Sequence, residues 1–344
     1  MLYSSCIVRK EAEKTENLLL YGDAIPPLLE ELCETAPMRR LSEVGMNCGC
    51  EYTAFPLFRG LRPYSRFEHS LGTALIVWRF TGDPAQAAAG LLHDIATPVF
   101  AHVVDFLRGD ALRQEATEEG TEALIASSGE LQAALRRRGL NTDAVCDYRR
   151  YPIADNDAPR LSADRLEYTL GNSLRYGFLT LAQARSVYDD LFPAPNEDGE
   201  PELCFRSREA AEAFSEAALR CSKVYVSGED RYAMQRLAEL LRLALDLGVL
   251  AQSDLLSTEP AAIRKLLSDD ETAQGWRAFR ALHRIVSAET PGEGEGGWRQ
   301  IRAKKRCIDP LLAGAGRMSA LSPRFGEALS AFLAEPQSDW LCGQ

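Results

Sequence analysis

The sequence has no apolar run that approaches the roughly 18–20 residues of a membrane-spanning helix. Its first residues, MLYSSCIVRKEAEK, become charged too early for a secretory signal peptide. Positive charge is in deficit as well, since 39 Lys and Arg face 50 Asp and Glu, a net charge of −11. This balance argues against nucleic acid or an anionic membrane as the main partner. We therefore expect a cytoplasmic protein.

The spacing of the cysteines offers no structural zinc site. The nine cysteines are scattered, and only Cys48 and Cys50 lie close together, as C-G-C. A zinc knuckle needs a C-x2-C half-site and a second half-site to pair with it. An odd number of dispersed cysteines favours reduced, structural thiols over a metal role for Cys48 and Cys50.

Several N-cap signals in the first half of the chain predict where helices begin. Ser65 with Glu68 forms a capping box that predicts a helix over 66–80. Asp83-Pro84 predicts the next helix, over 84–96, and Thr97-Pro98 a third, over 98–108. Ser162 is predicted to cap another helix. The pattern also predicts helices over 118–138, 208–251, 258–268, 274–288 and 323–334.

The remaining patterns favour an all-α fold of irregular design. Helix lengths and connections vary too widely for a regular bundle. The turn-rich PAPNEDGEP followed by LCF predicts a small β-hairpin near 188–206. With 46% apolar residues, 344 residues can bury a sizeable core in one large domain or two smaller ones.

Histidine is scarce, yet three of the four histidines fall within 34 residues. Alone, His93 would be interpreted as a hydrogen-bonded core histidine, and a His-Asp pair is a weak signal. His69, His93, Asp94 and Asp164 together offer two imidazoles and two carboxylates. Such a mixed nitrogen and oxygen set suits Mn, Fe, Zn, Ni or Mg. Adjacent helical residues diverge by about 100°, so His93 and Asp94 can share a metal only at the edge between their directions.

The order H…HD…D, with RFEHSLG at the first His and DRLEY at the last Asp, resembles the HD-domain metal-dependent phosphohydrolases. Within them it is most similar to the deoxynucleoside triphosphate triphosphohydrolases, over about residues 36–235. The resemblance implies an HD-domain helical core over 1–250 with an N-terminal lead-in, and a C-terminal helical extension over 251–344 packed on it. It also implies one divalent metal ion, a small phosphorylated substrate such as a nucleotide, and a homo-oligomer.

The resemblance also assigns roles to individual residues. The implied metal ligands are His69, His93, Asp94 and Asp164. His102, oriented by Asp105, corresponds to the catalytic His. Arg66 would contact phosphate, and Arg165 and Tyr168 would line the substrate pocket.

The sequence departs from the family around this set. The family usually has H-D-[IL]-G-H-x-P-F-[SA]-H, whereas here HDIATPVFAH places Ala96 at the Gly and Thr97 at the second His. Gln114 stands where a further His is expected, and Gly171-Asn172 replaces an Arg-Asp pair. Thr and Gln cannot transfer protons at neutral pH. Two interpretations stay open: a metal-dependent phosphohydrolase, or a catalytically weak nucleotide-binding, regulatory HD protein that keeps the metal ligands.

Two stretches fall outside these roles. Tyr225, in KVYVSGEDRYAM, is a weak pocket candidate for which packing is favoured. The cluster AKKR at 303–306 favours a solvated helix face. The alternatives are that Lys304, Lys305 or Arg306 reaches a phosphate in the cleft, or that the cluster binds an anionic effector or nucleic acid. His283 has no partner motif and is interpreted as structural.

Overall fold

The computed structural model of the chain describes residues 18–22, 24–109, 112, 120–292 and 297–344. Gln114 lies outside the described residues. Helices make up most of the described chain, which confirms the mainly helical prediction. No helix in these ranges is long and apolar enough to cross a membrane.

Eleven α-helices of the described chain precede the predicted hairpin. They are α1 (Leu18–Tyr21), α2 (Pro27–Cys33), α3 (Ala36–Arg40), α4 (Arg66–Thr81), α5 (Pro84–Leu92), α6 (Val103–Arg108), α7 (Thr121–Ser127), α8 (Gly129–Arg137), α9 (Thr142–Val145), α10 (Ala163–Arg175) and α11 (Leu181–Asp189).

The α-helices after the hairpin complete the fold. They are α12 (Arg208–Val224), α13 (Gly228–Asp246), α14 (Glu259–Leu266), α15 (Asp270–Ala281), α16 (Met318–Leu321) and α17 (Pro323–Ala334). Short 3-10 turns occupy Leu41–Glu43, Cys50–Tyr52, Tyr148–Arg150 and Gln252–Leu256.

Two small sheets accompany the helices. The predicted hairpin is present as β1 (Leu191–Pro195) and β2 (Pro201–Phe205), in antiparallel register from Leu191 opposite Phe205. β5 (Leu311–Leu312) pairs parallel with β2, and β6 (Gly316–Arg317) pairs antiparallel with β5. The second sheet has the order β3-β7-β4 and is antiparallel, with β3 at Ile285–Ala288, β4 at Arg299–Gln300 and β7 at Trp340–Gly343.

Local cap signals placed several helices correctly. The capping box at Ser65 is present, with the Ser65 hydroxyl accepting from the Glu68 N–H and the Glu68 carboxylate accepting from the Ser65 N–H. Asp83 accepts from the N–H groups of Ala85 and Gln86 and so begins α5. Ser162 caps α10 in the same way. These predictions held because each cap depends on residues within one helical turn.

Several predicted helices differ from the structure. The helix predicted over 84–96 ends at Leu92, so His93 and Asp94 lie in the turn that follows it. The one predicted over 118–138 is divided at Ser128, whose side chain caps α8. The one predicted over 274–288 ends at Ala281, because Ile285–Ala288 pairs with β7 at the end of the chain.

The helix predicted over 98–108 begins only at Val103. Phe100 and Ala101 have φ angles of 58° and 48°, in the left-handed region that interrupts a right-handed helix. Tertiary partners hold this loop, since the Val99 N–H donates to the carbonyl of Leu255 and the Phe100 N–H to Glu259 Oε1. His102 is therefore the residue before α6, not a residue in the middle of a helix.

Two apolar clusters form the core. The first joins α1, α2, α4, α5, α10, α12 and α17. The second joins the 48–58 segment, the 99–101 loop, α6, α13, α14 and α15. Residues 251–344 contribute to both clusters and both sheets, so this part contains strands as well as the predicted helices. The division into 1–250 and 251–344 stays a prediction.

Candidate metal centre and active-site cavity

Four predicted ligands converge at one point. One ligand atom from each of His69, His93 and Asp94 lies within 4.8 Å of the others, and all three side chains are buried. Asp164, on α10, closes the group, since its Oδ1 lies 3.0 Å from Nε2 of His69 and 3.7 Å from Nε2 of His93. The predicted set is therefore brought together from α4, the turn after α5 and the start of α10.

Hydrogen bonds on the outer side of each ring orient the two imidazoles. His69 Nδ1 lies 2.6 Å from Glu167 Oε2, and His93 Nδ1 lies 2.7 Å from the carbonyl of Gly90. Because both acceptors hold an Nδ1 proton, they fix the tautomer that leaves Nε2 facing inward. The two Nε2 atoms are 3.2 Å apart.

Glu167 also belongs to this candidate centre, although its residue type and place in the sequence assign it no role there. It is 1% exposed and also accepts a hydrogen bond from the hydroxyl of Tyr64. Its position three residues after Asp164 places both carboxylates on one face of α10. That spacing, visible in DRLEY, was the available signal.

Two neighbours hold Asp94. Arg66 Nη1 lies 2.7 Å from Asp94 Oδ2, and Thr97 Oγ1 donates to Asp94 Oδ1 at 3.0 Å. Burial raises the pKa of Asp94, but the positive charge of Arg66 outweighs it and leaves that pKa well below its usual range. Thr97, which stands where the family has a His, therefore orients the predicted ligand Asp94.

The centre favours positive charge. Burial opposes protonation of His69, but its hydrogen bonds to Asp164 and Glu167 prevail and raise its pKa to about 10. Burial likewise opposes ionisation of Asp164, yet the contact with His69 lowers its pKa to about 2. Two inward-facing imidazole nitrogens and two carboxylates form a donor set that fits a divalent metal.

His102 forms a second arrangement beside this centre. Its Nδ1 lies 3.0 Å from Asp105 Oδ2, and its Nε2 lies 3.2 Å from Nη2 of Arg306. Burial, followed by the positive charges of Arg306 and Arg66, lowers the pKa of His102 to about 4 against the opposing effect of Asp105. His102 is thus a neutral imidazole near pH 7.

The metal centre lines one side of a cavity of 570 Å³. The predicted substrate residues Arg66, Arg165 and Tyr168 all line it, as does His102. Arg165 Nη1 lies 3.1 Å from Asp155 Oδ1, and its Nη2 donates to the carbonyl of Asn156. Arg165 therefore joins the part of the cavity wall formed by Asp155 and Asn156 to α10.

Tyrosines form much of the remaining wall. The sequence favours a packing role for Tyr225, but in the structure this side chain lines the cavity. The centre of its ring lies 6.1 Å from that of Tyr168. Asn172 donates to the Tyr225 hydroxyl at 2.8 Å. A Cβ at Gly171 would lie 2.5 Å from the Tyr64 hydroxyl, so that hydroxyl occupies the space of a longer side chain. Asn172 is thus part of the cavity wall, whereas Gly171 packs against Tyr64.

The basic cluster is not a helix face. Residues 301–310 have no regular secondary structure, and Lys304 and Arg306 line the cavity. Lys305 instead donates to the carbonyls of Phe332, Leu333 and Glu335 at the end of α17. The sequence does not show that Lys305 turns away from the cavity while Lys304 and Arg306 line it, because the carbonyls that bind Lys305 belong to a helix distant in sequence.

The residues predicted to be structural lie outside the metal-ligating cluster found among the described residues. His283 is exposed and does not line the cavity. The eight described cysteines are unpaired, and the metal-ligating cluster found among the described residues contains none of them.

Two curated proteins are similar to this chain in sequence. The uncharacterized protein YdhJ of Bacillus subtilis is 30% identical over 253 residues, which span 72% of this chain and 74% of YdhJ. The chain belongs to the YdhJ family. No family model matches it. The metal-dependent phosphohydrolase cns2 of Cordyceps militaris is 27% identical over 180 residues, 52% of this chain and 50% of that protein.

A solved structure extends the similarity to the fold. The crystal structure of a phosphohydrolase from Bacteroides thetaiotaomicron matches with a TM-score of 0.60 at 16% identity, covering 93% of this chain and 96% of that one. Its fold is thus shared with the YdhJ-family chain. Both cns2 and this solved structure are named as phosphohydrolases, and His69, His93 and Asp94 form a cluster in this chain that could hold a metal ion.

Proposed function

We propose that the protein is a metal-dependent phosphohydrolase that acts on a nucleotide or another small phosphoester. The observation that carries the proposal is the convergence of His69, His93, Asp94 and Asp164 at the wall of a cavity that cationic side chains also line. The similarity to cns2, which is called a metal-dependent phosphohydrolase, supports the same class of reaction.

These four side chains would hold the metal. A bound divalent metal supplies a water molecule of lowered pKa and polarises phosphoryl oxygens. Glu167 and the Gly90 carbonyl keep the two imidazoles turned toward it, and Arg66 and Thr97 do the same for Asp94.

His102 contributes a proton acceptor on the cavity side. Asp105 accepts the Nδ1 proton, so the lone pair of the neutral ring is on Nε2, the atom that faces Arg306. Near pH 7 this nitrogen can accept a proton or a hydrogen bond from a nucleophile. In this arrangement His102 is a base, and the role of general acid would require it to take up a proton first.

The finer assignment to the deoxynucleoside triphosphate triphosphohydrolases rests on RFEHSLG and DRLEY. Thr97 and the Gly171-Asn172 pair weigh against it, since they remove side chains that the family uses. The same changes favour the second candidate, a nucleotide-binding regulatory protein that keeps the metal ligands. The cavity of 570 Å³ is compatible with either, because ligand pockets commonly have about 300–1,000 Å³.

The test combines metal analysis with a panel of phosphoesters. The purified protein should contain a transition metal and release phosphate, pyrophosphate or triphosphate from at least one nucleotide or small phosphoester. His93→Ala and Asp94→Ala should abolish turnover nearly completely, while His283→Ala, at an exposed site outside the cavity, should retain it.

Two outcomes separate the candidates. Turnover that survives both His93→Ala and Asp94→Ala contradicts the proposed mechanism. Thermal stabilisation by a nucleotide without any turnover supports the regulatory protein instead.

A further inference from the structure

Residues 301–310, called here the basic segment, contribute two side chains to the wall of the cavity. The segment runs from β4 to β5 and carries two cations, Lys304 and Arg306, that line the cavity. The family resemblance ends about 70 residues earlier, near residue 235. These cations are therefore not part of the recognised motif.

The basic segment is held in place on both sides. Gln337 accepts from the Ala303 N–H at 2.7 Å and donates to the Ala303 carbonyl at 3.1 Å. Lys305 bonds to three carbonyls at the end of α17, and the Asp309 N–H donates to the carbonyl of Pro159 at 2.8 Å. The position of Arg306 is consequently set by the fold.

Arg306 contacts His102 at Nε2, the ring nitrogen that is not bonded to Asp105. Nη2 of Arg306 lies 3.2 Å from Nε2 of His102. A guanidinium can only donate, so the hydrogen bond uses the lone pair of His102 Nε2. The lone pair that would accept a proton during catalysis is thereby occupied.

A phosphoryl group is a better acceptor for Arg306 than this neutral nitrogen. Hydrogen bonds between a guanidinium and phosphate oxygens are charge-assisted and often bidentate, and they are roughly twice as strong as neutral ones. A phosphoester that enters the cavity therefore competes for the guanidinium.

We propose that Arg306 is a phosphate-binding residue that releases His102 Nε2 when it binds the phosphoryl group of the substrate. This inference rests on the proposed function and extends it to the basic segment. His102 is then available as an acceptor only when a substrate is in place. Lys304 lines the same cavity and adds positive charge on that side.

The first test measures the binding of inorganic phosphate to the protein as purified, by calorimetry near pH 7.5. Arg306→Gln should weaken binding about 10- to 100-fold, the range for loss of a hydrogen bond to a charged group. Arg306→Lys keeps the charge but lacks the planar guanidinium that can bind phosphate through two hydrogen bonds. Its phosphate affinity should therefore lie between those of Arg306→Gln and the wild type. Arg302→Gln is the matched control, because Arg302 is exposed in the same segment and does not line the cavity.

The second test follows the imidazole nitrogens by NMR. The chain has four histidines, and the signals of His102 are assigned from their loss in His102→Gln. Saturation with phosphate should shift the Nε2 signal of His102 in the wild type. In Arg306→Gln without phosphate, this signal should already lie near its position in the phosphate-bound wild type.

The outcomes distinguish this inference from the proposed function. Equal phosphate affinity in wild type, Arg306→Lys and Arg306→Gln, or no detectable phosphate binding by the wild type, overturns the role of Arg306. An unchanged His102 signal overturns the release of Nε2. A wild type that binds phosphate through Arg306 but hydrolyses no phosphoester contradicts the proposed enzyme while retaining the binding role.

Discussion

The Nε2 atoms of His69 and His93 face each other 3.2 Å apart. The Nδ1 atom of each ring already has an acceptor, so neither ring can turn its lone pair away without losing that bond. Two lone pairs at this distance repel unless a positive charge lies beside them. A proton on His69 or a metal ion satisfies this requirement.

Removal of metal should therefore lower stability. A metal that binds the folded state adds RT ln(1 + [metal]/Kd), about 2.7 kcal/mol at a hundredfold excess over Kd. Unfolding in urea, with and without a chelator, measures the difference. His93→Ala should abolish it, whereas His283→Ala should not. Equal metal dependence in His93→Ala and the wild type would show that the metal binds elsewhere.

Glu167→Gln should weaken metal binding although Glu167 is not a predicted ligand. The amide holds the imidazole of His69 less firmly than the carboxylate does, and loss of such outer partners typically costs about 10- to 100-fold in metal affinity. Competition with a chromophoric chelator gives the affinity.

The control for Glu167→Gln is Glu216→Gln, on the exposed side of α12. Tyr64→Phe removes the hydroxyl that donates to Glu167 and should have a smaller effect in the same direction. Metal affinity in Glu167→Gln equal to that in Glu216→Gln would rule out the orienting role.

Gly171→Ala should disturb Tyr64. The added Cβ would lie 2.5 Å from the Tyr64 hydroxyl, so the tyrosine must move away from Glu167. Overpacking of this kind costs about 1–3 kcal/mol in the free energy of unfolding. Gly129→Ala is the control, because a Cβ there meets nothing within 4 Å. If both variants unfold at the same urea concentration, Gly171 and Tyr64 are not closely packed.

Much of the metal centre could be predicted because its signals are local or belong to a motif. Ser65, Asp83 and Ser162 cap the helices that carry or precede the ligands, and each cap involves neighbouring residues. The order of the family motifs then identified His69 and Asp164 as predicted ligands. Their spacing alone does not indicate that they lie at one site, because they are far apart in sequence.

Other parts depend on contacts that are distant in sequence. Thr97-Pro98 has the pattern of a helix start, yet the Thr97 hydroxyl donates to Asp94 and Glu259 takes the Phe100 N–H. The contact of Arg306 with His102 joins residues 204 positions apart. No local pattern can predict such pairs, because the competition between partners is decided only after the chain has folded.

Glu51 and Glu259 provide a test of pH dependence away from the metal. Both carboxyls lie beside Gly45, and Glu259 Oε2 accepts from the Tyr52 hydroxyl at 2.8 Å. Burial, followed by the charge of Glu259, raises the pKa of Glu51 to about 8, and burial raises the pKa of Glu259 as well.

The sign of the expected effect follows from these shifts. A carboxyl whose pKa is higher in the folded state leaves stability unaffected below its unfolded pKa and lowers it as the pH rises toward the folded value. Glu51→Gln should thus raise the free energy of unfolding at pH 8.5 by at least about 1 kcal/mol, since one pKa unit corresponds to about 1.4 kcal/mol. Near pH 5 the gain should be small. Urea unfolding at pH 5, 6.5 and 8.5 measures it, with Glu216→Gln as the exposed control. A gain that is independent of pH would mean that Glu51 does not titrate in this range.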